Sequence, residues 1–291
     1  MKRIVITFLF LLTACLVVFS YTIWQNNRPV QNIPQNEIKS SLHKSIEWLV
    51  KNKTNILQST NSILWWMINE SALLTKDERL LDLSDEYQLI MKTQYVNSVW
   101  NHLFDNNCNV SVDPLRIAAL PDYNKLFLFG LTCDEELSNL ETIETQKHPN
   151  FCWKSHPISP ACVTHQLMGF RFMQRRNCQN DQGLNYKIEI LQKYILWQLF
   201  FDFRVVDVYL QRVLMLADSG LKNKIKPIWL RKIIDAQLSD GGWGNFHGLI
   251  PVGKSKFFGF TANGVSVKQP KSNFHTTAQG VFLMSLMQNR P

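Results

Sequence analysis

Strand signatures are nearly absent from this chain, which excludes a fold built of many short strands. No run of basic residues occurs either. The formal charge is +8, and past residue 24 it is still +6 (29 Lys and Arg against 23 Asp and Glu), but the excess is scattered. That pattern suits a solvated surface near an anionic membrane better than a nucleic-acid groove, and leaves open binding to anionic glycans or lipid head groups. Low-complexity and disorder-prone composition is missing as well. With 45% hydrophobic and 12% aromatic residues, 291 residues can bury a substantial core, and one large domain is expected.

The start of the chain departs from this. "MKRIVITFLFLLTACLVVFSYTIW" sets Lys2 and Arg3 before an uncharged apolar run from Ile4 to Trp24, about 20 residues, the length of a bilayer-spanning helix. The basic residues stay inside, so the rest of the chain is exported. The run is expected to be an uncleaved signal anchor, with two alternatives: a cleaved signal peptide, or a lipoprotein acylated at Cys15 within Leu12-Thr13-Ala14-Cys15. Against the lipoprotein, the residues after Cys15 stay apolar and end in aromatics suited to a membrane interface. The expected location is a bacterial inner membrane, single pass, with the domain in the periplasm. Residues 25–35, polar with two prolines, are expected to be a short tether.

From residue 36 to 291 the periodicity is helical. Ile38, Leu42, Ile46 and Leu49 follow a cap at Asn36, and Ile63, Trp66, Met67 and Leu74 repeat the spacing, with Trp65 and Trp66 expected to pack in a core or rim rather than stack on sugar rings. Further helices are predicted near 77–104, 114–131, 134–146, 160–176, 186–201, 203–218, 226–238 and 274–288. Ser159 and Pro160 read as N-cap and first residue of one of them. Residues 186–201 are apolar nearly all round, which predicts a helix buried on more than one side. Short connections predict antiparallel hairpins stacked in sequence. The exception is a long loop, 244–273, that could hold a hairpin around Asn263-Gly264 and serve as a contact surface.

The most patterned stretch is Gln237-Leu-Ser-Asp240-Gly241-Gly242-Trp243-Gly244, following a helix with an apolar stripe of Ile228, Leu230, Ile233 and Ile234. It resembles the QW motif of the terpenoid cyclase and protein prenyltransferase superfamily. The resemblance implies an all-α fold, an α/α toroid with an inner and an outer ring of helices. It also implies that Gln237, Gly241, Gly242 and Trp243 form a structural turn. Two glycines permit a sharp turn, and a Gln side chain can satisfy helix-end groups. Asp240 and Trp243 are the secondary candidates for ligand contact.

The segment Ser272 to Gln288 is similar to the last inner helix of prenyltransferase β subunits, where a histidine matching His275 binds zinc. The Asp-x-Cys partner of those enzymes is absent, as is the Asp-x-Asp-Asp acid of squalene cyclisation. No cofactor is therefore expected, with zinc at His275 or near Cys152 and Cys162 as the lesser option. His165 with Gly169 echoes His275 with Gly280. At inner-helix N-termini both imidazoles would stay neutral and able to accept a proton. Arg204, Asp207 and Gln211 recur at i, i+3 and i+7, and Gln279 lies one turn after His275. The expectation is a single cavity in which His165 and His275 act as acid or base, Asp207 and Arg204 orient them, and Gln211 and Gln279 contact the ligand. That ligand would be a glycan or an isoprenoid-like lipid. A binding or interaction module without turnover is the competing reading, and each polar residue satisfied in a helix interface is the bland one.

Cys108, Cys133, Cys152, Cys162 and Cys178 predict one or two disulfides with an odd thiol, and not Cys162 with Cys178, which would lie at opposite ends of one helix. "GLIPVGKS" fits the P-loop expression by chance, because no strand before it and helix after it would cradle a phosphate.

Overall fold

The computed structural model describes residues 2–94, 97–105, 107–156, 159–178 and 183–288. In chain order it contains α1 (Lys2–Asn27), α2 (Gln35–Lys51), α3 (Lys53–Ile56), α4 (Ser62–Thr75) and α5 (Glu78–Gln94), then α6 (Pro114–Ile117), α7 (Asp122–Thr132), α8 (Glu135–Ser138), α9 (Glu141–Gln146) and α10 (Phe151–Ser155). After these come α11 (Cys162–Arg175), α12 (Leu184–Phe201), α13 (Asp207–Asp218), α14 (Pro227–Asp235), the strands β1 (His247–Pro251), β2 (Phe257–Thr261) and β3 (Gly264–Lys268), and finally α15 (Phe274–Gln288). The protein is mostly helical, as the periodicity predicts, with one small sheet.

Where the predicted helices are too long, a specific residue breaks them. Pro121 lacks an amide proton and divides 114–131 into α6 and α7. Residues 77–104 separate into α5 and a 3₁₀ turn, Val99–Leu103, whose Trp100 amide donates to the Ser98 hydroxyl. Helix α2 begins at Gln35 rather than after a cap at Asn36. Helix α11 begins at Cys162, two residues beyond the predicted Ser159-Pro160 start. The Pro160 carbonyl is taken by Arg212 at 3.0 Å, and Cys162 is held back to Cys152 by a disulfide.

Helices α4, α7, α11, α13 and α15 form the interior. From Thr276 to Ser285 every residue of α15 is buried, and α13 is buried from Val208 to Asp218. Helix α15 lies against α2, α4 and α13, while α11 lies against α7, α12 and α13. Trp66 of α4 meets Phe172 of α11 edge-on at 5.0 Å and Phe282 of α15 at 5.5 Å, and Phe172 meets Phe127 of α7 at 5.7 Å. These rings fill the centre, each edge-to-face contact adding about 0.5–1.5 kcal/mol beyond burial. Trp65 is fully buried, as expected of a core residue.

Helix α12 does not behave as predicted for 186–201. Ile188, Leu191, Gln192, Ile195 and Leu199 face inward, but Tyr186, Trp197 and Phe200 are exposed. Its all-round apolarity therefore comes from a buried aliphatic face and a separate aromatic outer face.

The predicted tether is also different. Helix α1 continues to Asn27, and Asn26 is fully buried within the body. Among the described residues no helix is long and apolar enough to cross a membrane. The side chain of Cys15, on which the lipoprotein alternative turns, lies outside the described residues, as do those of residues 2–5, 8 and 11.

The 244–273 loop holds the expected hairpin. β2 pairs antiparallel with β3, Thr261 opposite Gly264, so that Ala262 and Asn263 form its two-residue tip. β1 adds a third strand on β2. The "GLIPVGKS" stretch is β1 and the turn into β2, with no helix behind it. Two disulfides, Cys133–Cys178 and Cys152–Cys162, leave Cys108 as the free thiol among the described cysteine side chains. They mark an oxidising, extracellular-type environment.

Candidate functional site

The five interior helices bring their starts to one end of the body, and the polar candidates sit there. Ser62 opens α4, Tyr123 and Asn124 lie in the first turn of α7, His165 in that of α11, Asp207 opens α13, and His275 is the second residue of α15. Gln211 and Gln279 follow one turn deeper. His165, Tyr123, Asn124, Phe127, Gln211 and Gln279 line an inner chamber of about 160 Å³. His165 and Tyr123 also border an outer groove of about 500 Å³, together with Asp207, Gln166, His156 and the hairpin-tip residues Ala262 and Asn263. His165 is thus part of the wall shared by chamber and groove.

The histidines feel each other. Burial first and the nearby His275 second lower the His165 pKa from 6.5 to about 4, against the opposing pull of the Ala161 carbonyl. The His165 ring is stacked on Tyr123 at 4.3 Å, planes 12° apart. His275 is exposed and lines neither hollow, meeting the chamber only through Gln279, and water tempers its shift. Its pKa too is lowered by the protein around it, while the negative charge of Asp207 pulls the other way. Both imidazoles are neutral at pH 7. His275 Nε2 lies 3.1 Å from Gln279 Nε2, which as an amide nitrogen can only donate; this leaves the His275 proton on Nδ1.

Three buried polar atoms at this end have no hydrogen-bond partner among the described residues: Gln279 Oε1, Asp207 Oδ1 and Gln166 Oε1. Gln279 is 1% exposed, and turning its amide over would only move the deficit to its nitrogen. Buried acceptors are ordinarily satisfied, and leaving one empty costs about 1–3 kcal/mol. The bland reading does hold for Gln211, whose Oε1 accepts from the Thr164 hydroxyl at 2.9 Å.

Arg204 does not join this group. Its guanidinium pairs with Asp202 at 2.8 Å and donates to the Ala262 carbonyl at 3.3 Å, so it braces the hairpin tip rather than orienting Asp207. The i, i+3, i+7 spacing misplaces it because α13 begins only at Asp207.

Asp240 and Trp243 line neither the chamber nor the groove. Asp240 accepts from Trp48 Nε1 at 3.1 Å, Ser272 Oγ at 2.6 Å and the Gly242 amide at 3.1 Å, which leaves it committed to the turn. Trp243 is buried, donates Nε1 to the Ile233 carbonyl at 2.8 Å, and rests on Gly280. Gln237 Nε2 donates to the carbonyls of Ser41 and Gly241 at 2.9 and 2.8 Å. Gly241 has φ +92°, and a Cβ there would strike the Lys44 carbonyl. Gln237 and Trp243 border a separate hollow of about 410 Å³.

Among the described residues no group of three or more His, Cys, Asp or Glu side chains is placed to hold a metal ion. The zinc option near Cys152 and Cys162 fails because both sulfurs are spent in a disulfide. A hollow of about 420 Å³ elsewhere, beside Cys133–Cys178, is rimmed by Glu144 and Lys147, which pair with each other at 3.3 Å.

Sequence reasoning missed Tyr123, Asn124, Phe127 and Gln166, and it placed Asn263 in a contact loop and His156 near the Cys152–Cys162 pair without joining either to His165. For the first two a signal existed: Pro121-Asp122 marks a helix start, and the helix predicted across it hid their place at an N-terminus. The others depend on tertiary packing and carry no local signal.

No family model, curated protein or solved structure matches the chain.

Proposed function

We propose that the protein is an exported, membrane-tethered α/α toroid. In this reading the pocket at its inner-helix starts binds one end of a glycan and acts on it by acid–base chemistry. The observation that carries this reading is the set of unpartnered buried atoms, Gln279 Oε1, Asp207 Oδ1 and Gln166 Oε1, beside two histidines held neutral. They are the acceptors a hydroxyl-rich ligand would fill. An inner chamber of about 160 Å³ is below the usual size for a whole ligand, so it would take one unit while the rest lies in the outer groove. Amides alternating with Tyr123 and Phe127 favour a sugar over an isoprenoid-like lipid, whose chain would leave those amides unsatisfied. His275, whose protonated form the Asp207 carboxylate favours, would accept a ligand hydroxyl proton and give the same proton back to the departing oxygen, with the more enclosed His165 as the second acid–base candidate beside it.

The tether is supported by α1. Its Phe10, Val17, Val18, Phe19, Tyr21 and Trp24 are all exposed, an arrangement stable in lipid and costly in water. The disulfides agree with a periplasmic location.

The test is purification of the full chain from membranes, mass spectrometry of co-purified ligand, and assay of an oligosaccharide library with His165→Gln and His275→Gln beside the wild type. Turnover by the wild type that both variants lose, with binding kept, is the expected result. Binding without turnover in the wild type would make the protein a recognition module. Neither binding nor turnover would overturn the reading.

A further inference from the structure

Helix α1 is locked into the body rather than tethered to it. Asn26 Nδ2 donates to the Leu199 carbonyl, and Asn26 Oδ1 accepts from the Tyr209 hydroxyl at 3.1 Å and from Lys232 Nζ at 2.7 Å. Trp229 Nε1 donates to the Asn26 carbonyl at 2.9 Å. Asn27 Nδ2 donates to the Phe200 carbonyl and its Oδ1 accepts from Lys226, each at 2.8 Å. Contact continues up the helix, for Phe19 is stacked on Phe201 with ring centroids 6.5 Å apart and planes 10° apart.

That stack fixes a depth. Phe19 precedes Trp24 by five residues, about 7.5 Å along a helix. The headgroup layer on each side of a bilayer is roughly 5–8 Å thick. If the apolar run is buried up to Trp24, the Phe201 ring lies at the hydrocarbon boundary, and the body cannot stand off from the membrane.

The surface that this brings down is aromatic. Phe201 touches Phe200 at 5.0 Å and Trp197 at 4.9 Å, Trp197 meets Trp153 of α10 at 5.1 Å, and Trp153 is stacked on Tyr194 at 5.2 Å. Trp197 is 52% exposed, Trp153 42% and Phe200 39%. Lys226 sits over the Phe200 ring at 5.3 Å, and Lys193 and Lys154 are exposed beside Trp197 and Trp153. The one acidic residue of α12, Glu189, lies at the far end of the strip, about 18 Å along the helix from Phe201. Tryptophans with lysines at their edges are the chemistry of a membrane interface, the rings in the headgroup layer and the ammonium groups on lipid phosphates.

We infer that the outer face of α12, with Trp153 of α10, is a platform that lies on the lipid surface and holds the body in one orientation. This rests on the reading of α1 as a membrane anchor and adds to it a second, interfacial contact. It also explains why α12 keeps Trp197 and Phe200 facing outward.

The test uses the full chain in vesicles of phosphatidylcholine and phosphatidylglycerol carrying a lipid with a photoactivatable acyl chain, the adducts being mapped by mass spectrometry. Adducts are expected on residues 1–24 and also on peptides covering 151–155 and 186–201. Trp197→Asp with Phe200→Asp should lose the adducts at 151–155 and keep those on α1. Circular dichroism checks that this variant is folded; should it not be, Trp197→Gln alone serves. Adducts on α1 alone would overturn the platform and leave the anchor standing. The same pattern with the strip covered by a second copy, seen as a dimer by light scattering in nanodiscs, overturns it equally. No adducts anywhere would overturn the anchor reading itself.

Discussion

The Tyr123 ring lies flat on the His165 imidazole, 4.3 Å away, in the wall between the inner chamber and the outer groove. A stacked, enclosed imidazole opposes its own protonation, which is why the His165 pKa falls to about 4. The unfolded chain, with an ordinary histidine near 6.5, binds the proton more readily, so the native state gains stability as pH rises from about 4 to about 6.5 and loses it on the way down. The loss approaches about 3 kcal/mol below pH 4. Denaturation midpoints measured between pH 4 and 7 should fall with acid in the wild type and fall less steeply in His165→Gln. Equal slopes would mean that the imidazole is not shielded.

Gly280 carries the Trp243 ring directly. A Cβ at this position would collide with the indole Cε3, in a place where both Trp243 and α15 are buried. Gly280→Ala should cost about 1–3 kcal/mol, the range for overpacking a filled core. Gly253→Ala, where a Cβ would meet nothing within 4 Å, should be neutral. Urea midpoints decide, and equal values for the two variants would show that the indole can move aside.

The turn from Gln237 to Gly244 was legible because its chemistry is local: a glycine at positive φ, a Gln reaching backbone carbonyls and an indole on a glycine follow one another within a few residues. The helix-start positions of His165 and His275 were legible for a similar reason, each falling within the first turn of a helix that the periodicity located. What was not legible depends on partners far along the chain. Nothing near Asn26 says that Leu199, Tyr209, Trp229 and Lys232 will close around it, so residues 25–35 read as a tether. Nothing near Trp197 says which side of an apolar helix meets solvent. Arg204 went to Asp202, two residues away, because the helix that would have aligned it with Asp207 starts four residues later than its apolar pattern suggests.

The two disulfides should differ in weight. Cys133–Cys178 closes 45 residues and Cys152–Cys162 closes 10. On the loop-entropy account these are worth about 4 and about 3 kcal/mol, the longer loop counting more. The shorter bridge also holds the chain beneath the first turn of α11, where His165 sits. Cys152→Ser with Cys162→Ser should therefore lower stability less than Cys133→Ser with Cys178→Ser, yet disturb ligand binding more. Alkylation without reductant should label Cys108 and spare these four. Labelling of any of them would contradict the pairing.

Asn26 is the test of the joint between α1 and the body. Its side chain satisfies the Leu199 carbonyl, the Tyr209 hydroxyl and the Lys232 ammonium at once. Replacing it by alanine leaves three polar groups facing each other in a site where Tyr209 is fully buried. Each unsatisfied group costs about 1–3 kcal/mol, offset where water enters, so Asn26→Ala should lower stability by at least about 2 kcal/mol. Asn27→Ala should cost less, because the Asn27 bonds to Phe200 and Lys226 lie nearer the surface. The measurement that separates a joint from a tether is the mobility of α1 against the body. A spin label on α1 and another on α14 of the full chain should give a single narrow distance distribution in the wild type and a broad one in Asn26→Ala. A broad distribution in the wild type would return residues 25–35 to the role of flexible linker, and would leave Phe201 free to part from Phe19.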